Sequence, residues 1–143
     1  MKILIINGVN LNMTGIREKS VYGTESLIDI ENFLKEYASE KGIYLDFYQS
    51  DIEGELASKI CSSRNNYDAL IINAGAYSHY SYAIRDAITA SELPAIEVHL
   101  SNVFCREEFR QKSALAAVCK GYISGLGKYS YKAAIDYFFE VIK

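Results

Sequence analysis

The chain has two histidines, His79 and His99, and each stands just beyond a short apolar run that reads as a β-strand. A glutamate, Glu97, precedes His99 by two residues. Residues two apart on a strand point to the same face, so the carboxylate lies beside the imidazole. Such a neighbour raises the basicity of the imidazole and orients it, which suits a general acid that must hold a proton near neutral pH. A second chemical group lies in the stretch NGVNLNMTGIREKSVYG, residues 7–23, with asparagines at 7, 10 and 12, a cation at Arg17 and a phenol at Tyr22. A free phenol titrates near about 10 and is a poor base at pH 7, and correcting that takes roughly 4 kcal/mol. One cation at about 4 Å supplies roughly 1 kcal/mol in water but roughly 4 at an effective dielectric near 20. Arg17 can therefore make Tyr22 a base only where the loop closes and expels water, with Arg106 adding to the field. In the other reading, Tyr22 packs and Arg17 is a solvated surface charge; spacing alone leaves both open.

These groups must be brought together by the elements between them. Strand-like runs at 2–6, 44–48, 69–72, 95–98 and 121–124 alternate with helical patterns. The run at 69–72 is apolar throughout, as a central parallel strand should be. Thr24 can cap a helix to about Lys41, ended by Gly42. Ser50-Asp51-Ile52-Glu53 has the spacing of a capping box for the next helix. Further helices are expected over 81–90 and 131–142, and 107–119 reads as partly helical. Alternation without consecutive strands implies right-handed crossovers, a parallel sheet and helices on both faces. In a parallel sheet every strand's carboxyl end lies on one side. The opening loop, the segment Asn73-Ala74-Gly75-Ala76-Tyr77-Ser78-His79, and the segment Glu97-Val98-His99-Leu100-Ser101-Asn102 with Arg106 and Arg110 should then converge on one cleft.

Composition narrows the classes. The 143 residues suit one domain, expected over 1–143, and half of them are hydrophobic, enough for a real core. A net charge of -3 with scattered Lys and Arg argues against nucleic acid or an anionic membrane as partner. No apolar run approaches membrane-spanning length. Cys61, Cys105 and Cys119 are odd in number and form no C-x-x-C, the usage of a reducing compartment. With Met1 leading straight into the first strand, a cytoplasmic protein is expected. No cysteine pair or His-x-x-x-His spacing offers a metal-ligand set. A Cys105–His99 nucleophile pair is conceivable, but an inert buried thiol is the expectation.

The blocks NGVNLN, MTG, IRE and YG, then QSDIEGEL, INAGAYSHYSYAIRDA, EVHLSNVFCREEFR with Ser113 three residues on, and GLG with Tyr131 resemble the type II 3-dehydroquinate dehydratases from Lys2 to Tyr131. The resemblance implies a flavodoxin-like three-layer α/β fold with a five-stranded parallel sheet, and a dodecamer of four trimers. It implies loss of water from 3-dehydroquinate to give 3-dehydroshikimate, in the shikimate pathway or in quinate breakdown, without cofactor, metal or Schiff-base lysine. On matching positions, Tyr22 would be the base, kept ionised by Arg17 with Arg106 assisting. Asn10 would stabilise an enolate, and His99, supported by Glu97, would protonate the departing hydroxyl. Asn73, Ser101 and backbone near Leu100 would hold substrate hydroxyl and carboxylate groups, His79 and Arg110 the ring hydroxyls, and Asp86 would come from a neighbouring subunit. Val9, Lys19 and Ala74 stand where the family commonly has proline, and Asp51 where it has asparagine. A flavodoxin-like module that binds an anion or nucleotide without catalysis is the competing class; it has no need of Arg17, Tyr22 and His99 together.

Overall fold

The computed structural model describes residues 1–16 and 18–142, apart from the side chain of Tyr22. Five strands, β1 (Lys2–Asn7), β2 (Tyr44–Gln49), β3 (Ala69–Asn73), β4 (Ala95–His99) and β5 (Gly121–Ser124), form one sheet in the order β2-β1-β3-β4-β5. Every pairing is parallel, and Asn7 lies opposite Asn73 at the carboxyl ends. The order is that of flavodoxin-like folds, whose ligand site lies at the β1/β3 switch point. Because β1 and β3 are covered on both faces, their sequences are almost continuously apolar rather than alternating, whereas β4, equally buried, carries Glu97 and His99.

Helices α2 (Leu27–Glu40) and α5 (Tyr129–Val141) cover one face, where Ile3, Ile5, Leu34, Ile71, Val98 and Phe138 are buried together. Helices α3 (Glu53–Ser62) and α4 (Tyr82–Ser91) cover the other, over Leu4, Ile6, Leu56, Ile60, Ile72 and Ile84. Successive residues of β1 thus feed opposite layers, as a period of two requires. A short helical turn, α1 (Lys19–Tyr22), forms inside the opening loop. Among the described residues, no helix is long and apolar enough to cross a membrane.

Two expected caps are corrected. Ser26, not Thr24, starts α2: its hydroxyl accepts the Asp29 N–H at 3.1 Å, and the Asp29 carboxylate accepts the Ser26 N–H at 3.0 Å. Ser26 wins because a carboxylate lies three residues on, completing the reciprocal pair. The expected box at Ser50 does not form, because α3 begins at Glu53 and leaves that residue in the first helical position. The Ser50 hydroxyl instead donates to Glu55 Oε2 at 2.5 Å and accepts the Ile52 N–H at 3.0 Å. Helix α5 begins at Tyr129, two residues before the expected start, and 107–119 holds only short 3-10 turns at Glu108–Gln111 and Ala116–Val118.

Candidate active site

The carboxyl ends of β1, β3 and β4 open into one cleft lined by side chains from all three following loops. Two glycines let the first two loops cross at its floor. A Cβ on Gly8 would stand 2.3 Å from the Ala74 carbonyl oxygen. Gly75 has φ 62°, and a Cβ there would meet the Val9 carbonyl oxygen at 2.6 Å. Both positions exclude any larger residue unless the backbone moves. Beneath this crossing, the buried Tyr131 hydroxyl donates to Asn7 Oδ1 at 2.7 Å and accepts from Asn73 Nδ2 at 2.9 Å. Asn73 Oδ1 takes the Gly75 N–H at 3.2 Å. The Asn73 amide, part of the cleft lining, is therefore fixed in orientation from below.

On the β4 side, His99 Nε2 lies 2.7 Å from Glu97 Oε1, and Glu97 is wholly buried. The other ring nitrogen, Nδ1, is left for a ligand. Glu97 Oε2 accepts a 2.5 Å hydrogen bond from the Ser113 hydroxyl. The Tyr122 ring lies 5.4 Å from that of His99, and burial, reinforced by the Glu97 charge, pushes its phenol up to about 12. His79 stacks parallel to His99 with ring centres 6.3 Å apart. Its Nδ1 donates to the Lys112 carbonyl at 2.8 Å, which assigns the proton to that nitrogen. Burial lowers the His79 pKa, against the opposing pull of the Lys112 carbonyl. A neutral His79 with Nε2 as acceptor can take a hydrogen bond from a ligand hydroxyl.

On the other side, Asn10 adopts a left-handed backbone, φ 65°, which asparagine tolerates better than most residues. Its N–H donates to Asp51 Oδ1 at 2.9 Å, and Gln49 Nε2 donates to the same oxygen at 3.1 Å. Glu18 is also left-handed, φ 42°, and its carboxylate lies 3.7 Å from Arg106. Arg17 and the Tyr22 side chain lie outside the described residues; the backbone of Tyr22 ends α1.

Of the expected residues, Asn10, Asn73, His79, His99, Leu100, Ser101, Arg106 and Arg110 line the cleft. Arg106 reaches Ser101 Oγ at 3.4 Å, and Arg110 pairs with Glu107 through Nε at 2.6 Å. Glu97 stands behind His99 rather than in the lining. Asp86 is exposed on α4 and does not line the cleft of its own protomer. Cys105 is a correction: its thiol is exposed, not buried, and accepts from Asn102 Nδ2 at 3.3 Å in a surface turn. Sequence reasoning missed the supports Ser113 and Tyr131, gave Asn7 no supporting role, and missed the apolar lining residues Leu11 and Val103; the three supports each act across a long stretch of chain. A hydroxyl in an irregular segment carries no local signal; only the blocks containing Ser113 and Tyr131 could have drawn attention to them. Among the described residues, no group of three or more His, Cys, Asp or Glu could hold a metal ion.

A parallel sheet in this order, with a polar cleft at the carboxyl ends of its strands, defines a flavodoxin-like α/β fold. The family model described as Dehydroquinase class II matches residues 1–139. The 3-dehydroquinate dehydratase of Nitratiruptor sp. is 55% identical over 135 residues, 94% of this chain and 86% of that protein. The crystal structure of a type II dehydroquinase from Butyrivibrio crossotus superposes with a TM-score of 0.93 at 50% identity, covering 96% of each chain. That of Propionibacterium acnes gives 0.93 at 38% identity, covering 97% of this chain and 96% of that one. The chain belongs to the class II dehydroquinase family.

Proposed function

We propose that this 3-dehydroquinate dehydratase removes water by anti elimination through an enolate, with Tyr22 as base and His99 as general acid. Tyr22, ionised beside Arg17 with Arg106 assisting, takes the proton alpha to the ketone. The electron pair moves onto the carbonyl oxygen, and Asn10 stabilises that enolate through a bound water. When the enolate collapses, the carbon–oxygen bond beta to the ketone breaks. His99 delivers a proton from Nδ1 to the departing hydroxyl, and water leaves from the conjugated product, 3-dehydroshikimate. Asn73, Ser101 and the Leu100 backbone hold substrate oxygens, as do His79 and Arg110.

The observation that carries this reading is the 2.7 Å His99–Glu97 contact at the edge of the cleft, with Glu97 wholly buried. A carboxylate on one ring nitrogen supports a proton on the imidazole and aims the other nitrogen outward. In the same reading Asp86 serves a neighbouring copy's cleft within a dodecamer of four trimers. The enzyme works in the cytoplasm on the shikimate route, where free Cys61, Cys105 and Cys119 stay reduced. Purified protein mixed with 3-dehydroquinate should show the rising ultraviolet absorbance of the conjugated enone. Tyr22→Phe should show none while keeping the wild-type circular dichroism; an active Tyr22→Phe would remove Tyr22 as base.

A further inference from the structure

We infer that Ser113 is a positioning residue, whose hydroxyl acts through Glu97 to keep the proton of the Glu97–His99 pair on the imidazole. The inference rests on the reading of His99 as general acid and extends the acid machinery by a residue outside the cleft.

The hydrogen bonds of Ser113 leave it one role. Its Oγ accepts the backbone N–H groups of Leu115 and Ala116, both at 3.0 Å. A hydroxyl has two acceptor sites and one proton, so only the proton remains. It faces Glu97 Oε2 at 2.5 Å. Oε2 must therefore accept, and any proton on Glu97 has to sit on Oε1, the oxygen that faces His99 Nε2 at 2.7 Å. One proton is then contested between a carboxylate oxygen and an imidazole nitrogen. Glu97 is wholly buried, so no solvent sets the place of that proton; the hydrogen-bond partners do. A hydrogen bond donated to the other oxygen favours the carboxylate, and so leaves the proton on the ring.

The other titratable and charged groups around the pair do not take over this task. Tyr122 on β5 and the Cys119 thiol feel the Glu97 charge and stay neutral. The parallel His79 ring and the Arg106 and Arg110 cations line the cleft beside His99. The irregular 107–119 segment thus has a purpose that its lack of helix conceals: it carries a hydroxyl, locked as a donor by two backbone groups, to the far side of the Glu97 carboxyl.

The test uses the full chain as wild type, Ser113→Ala and Ser113→Thr, with Ser113→Cys, which keeps the shape and weakens the donor, if the alanine variant does not fold. Enone formation gives kcat and KM, and ¹⁵N spectra of histidine-labelled protein give the ring-protonated fraction of His99 near neutrality. Only two histidines contribute, and His79→Gln assigns them. In Ser113→Ala, kcat should fall about tenfold, the loss of one hydrogen bond to a charged group, with KM within about twofold. The His99 ring should carry less proton than in wild type, and Ser113→Thr should restore both. Unchanged kcat and ring protonation in Ser113→Ala would overturn the inference. So would equal losses in the alanine and threonine variants, tracking thermal stability alone. A wild-type protein inactive on 3-dehydroquinate would instead sink the dehydratase reading, while the ring spectra would still report whether Ser113 sets the proton's place.

Discussion

On one side of the cleft, His99 ends a strand buried along its whole length, and its carboxylate partner is pinned from behind by Ser113. On the other, Asn12, Met13, Ile16, Glu18 and Lys19 are exposed, and Asn10 and Glu18 hold left-handed backbones. That loop is held at separate points: Leu11 and Thr14 are buried, Asp51 holds the Asn10 N–H, and Glu18 lies 3.7 Å from Arg106. The contrast separates two ways of tuning a proton-transfer group. An imidazole needs little adjustment to work near neutral pH, so a fixed carboxylate suffices and can be built into the sheet. A phenol needs roughly 4 kcal/mol, which one cation supplies only where water is excluded. A loop that closes over its substrate meets that condition, and a rigid strand end open to solvent does not.

If the two sides differ in this way, damage to each should read differently. Tyr22→Phe strikes the loop side and should cost the most, a loss in kcat of about 10³-fold or more, at the upper part of the range for acid–base groups. The check is single-turnover enone formation on protein with wild-type circular dichroism. His99→Ala strikes the strand side and should cost about 10²-fold, because water can replace an acid at a leaving hydroxyl more readily than it can replace the base. Tyr131→Phe tests the rigid floor that joins the two sides. It strips a partner from Asn7 Oδ1 and from Asn73 Nδ2, both buried, and should lower stability by about 1–3 kcal/mol per stranded group. Thermal melts report the loss, and a KM raised more than kcat is lowered would mark Asn73 as the substrate contact affected.

The smallest effect is expected at Lys19. This residue is the first of α1, a position where proline is at home. Glu18 before it is left-handed, a backbone that a following proline opposes. Lys19→Pro should pull Glu18 toward an extended backbone and narrow the range of open loop conformations, a net gain below about 0.4–1 kcal/mol that lowers KM by less than about fivefold. Amide hydrogen exchange of residues 18–23 should slow in parallel. No change in either would mean that closure does not depend on the stiffness of this turn.

Much of the fold could be read from the chain because its signals are local. The apolar runs at 3–6 and 69–72 read as buried strands, and their alternation with helices implied the parallel sheet that the five strands form. The Glu97–His99 pair was equally legible, since a two-residue spacing on a strand has one geometric outcome. What escaped depends on chain folding over long distances. Ser113 meets Glu97 sixteen residues away, and Tyr131 meets Asn7 over a separation of 124. Nothing in either segment's own pattern requires those meetings. The helix starts near Thr24 and Ser50 differ from expectation for separate reasons: at α2 it is Ser26, not Thr24, that has its reciprocal partner in register, while α3 starts from Ile52 with no side-chain cap.

The division of labour between the two sides can be measured in one experiment. Tyr22→Phe and His99→Ala are each incubated with 3-dehydroquinate in deuterated water, and deuterium uptake at the carbon alpha to the ketone is followed beside enone formation. The account predicts that Tyr22→Phe does neither, while His99→Ala takes up deuterium faster than it forms enone, since the base remains and only departure of the hydroxyl is impaired. Equal loss of exchange and enone in His99→Ala, or exchange surviving in Tyr22→Phe, would contradict it.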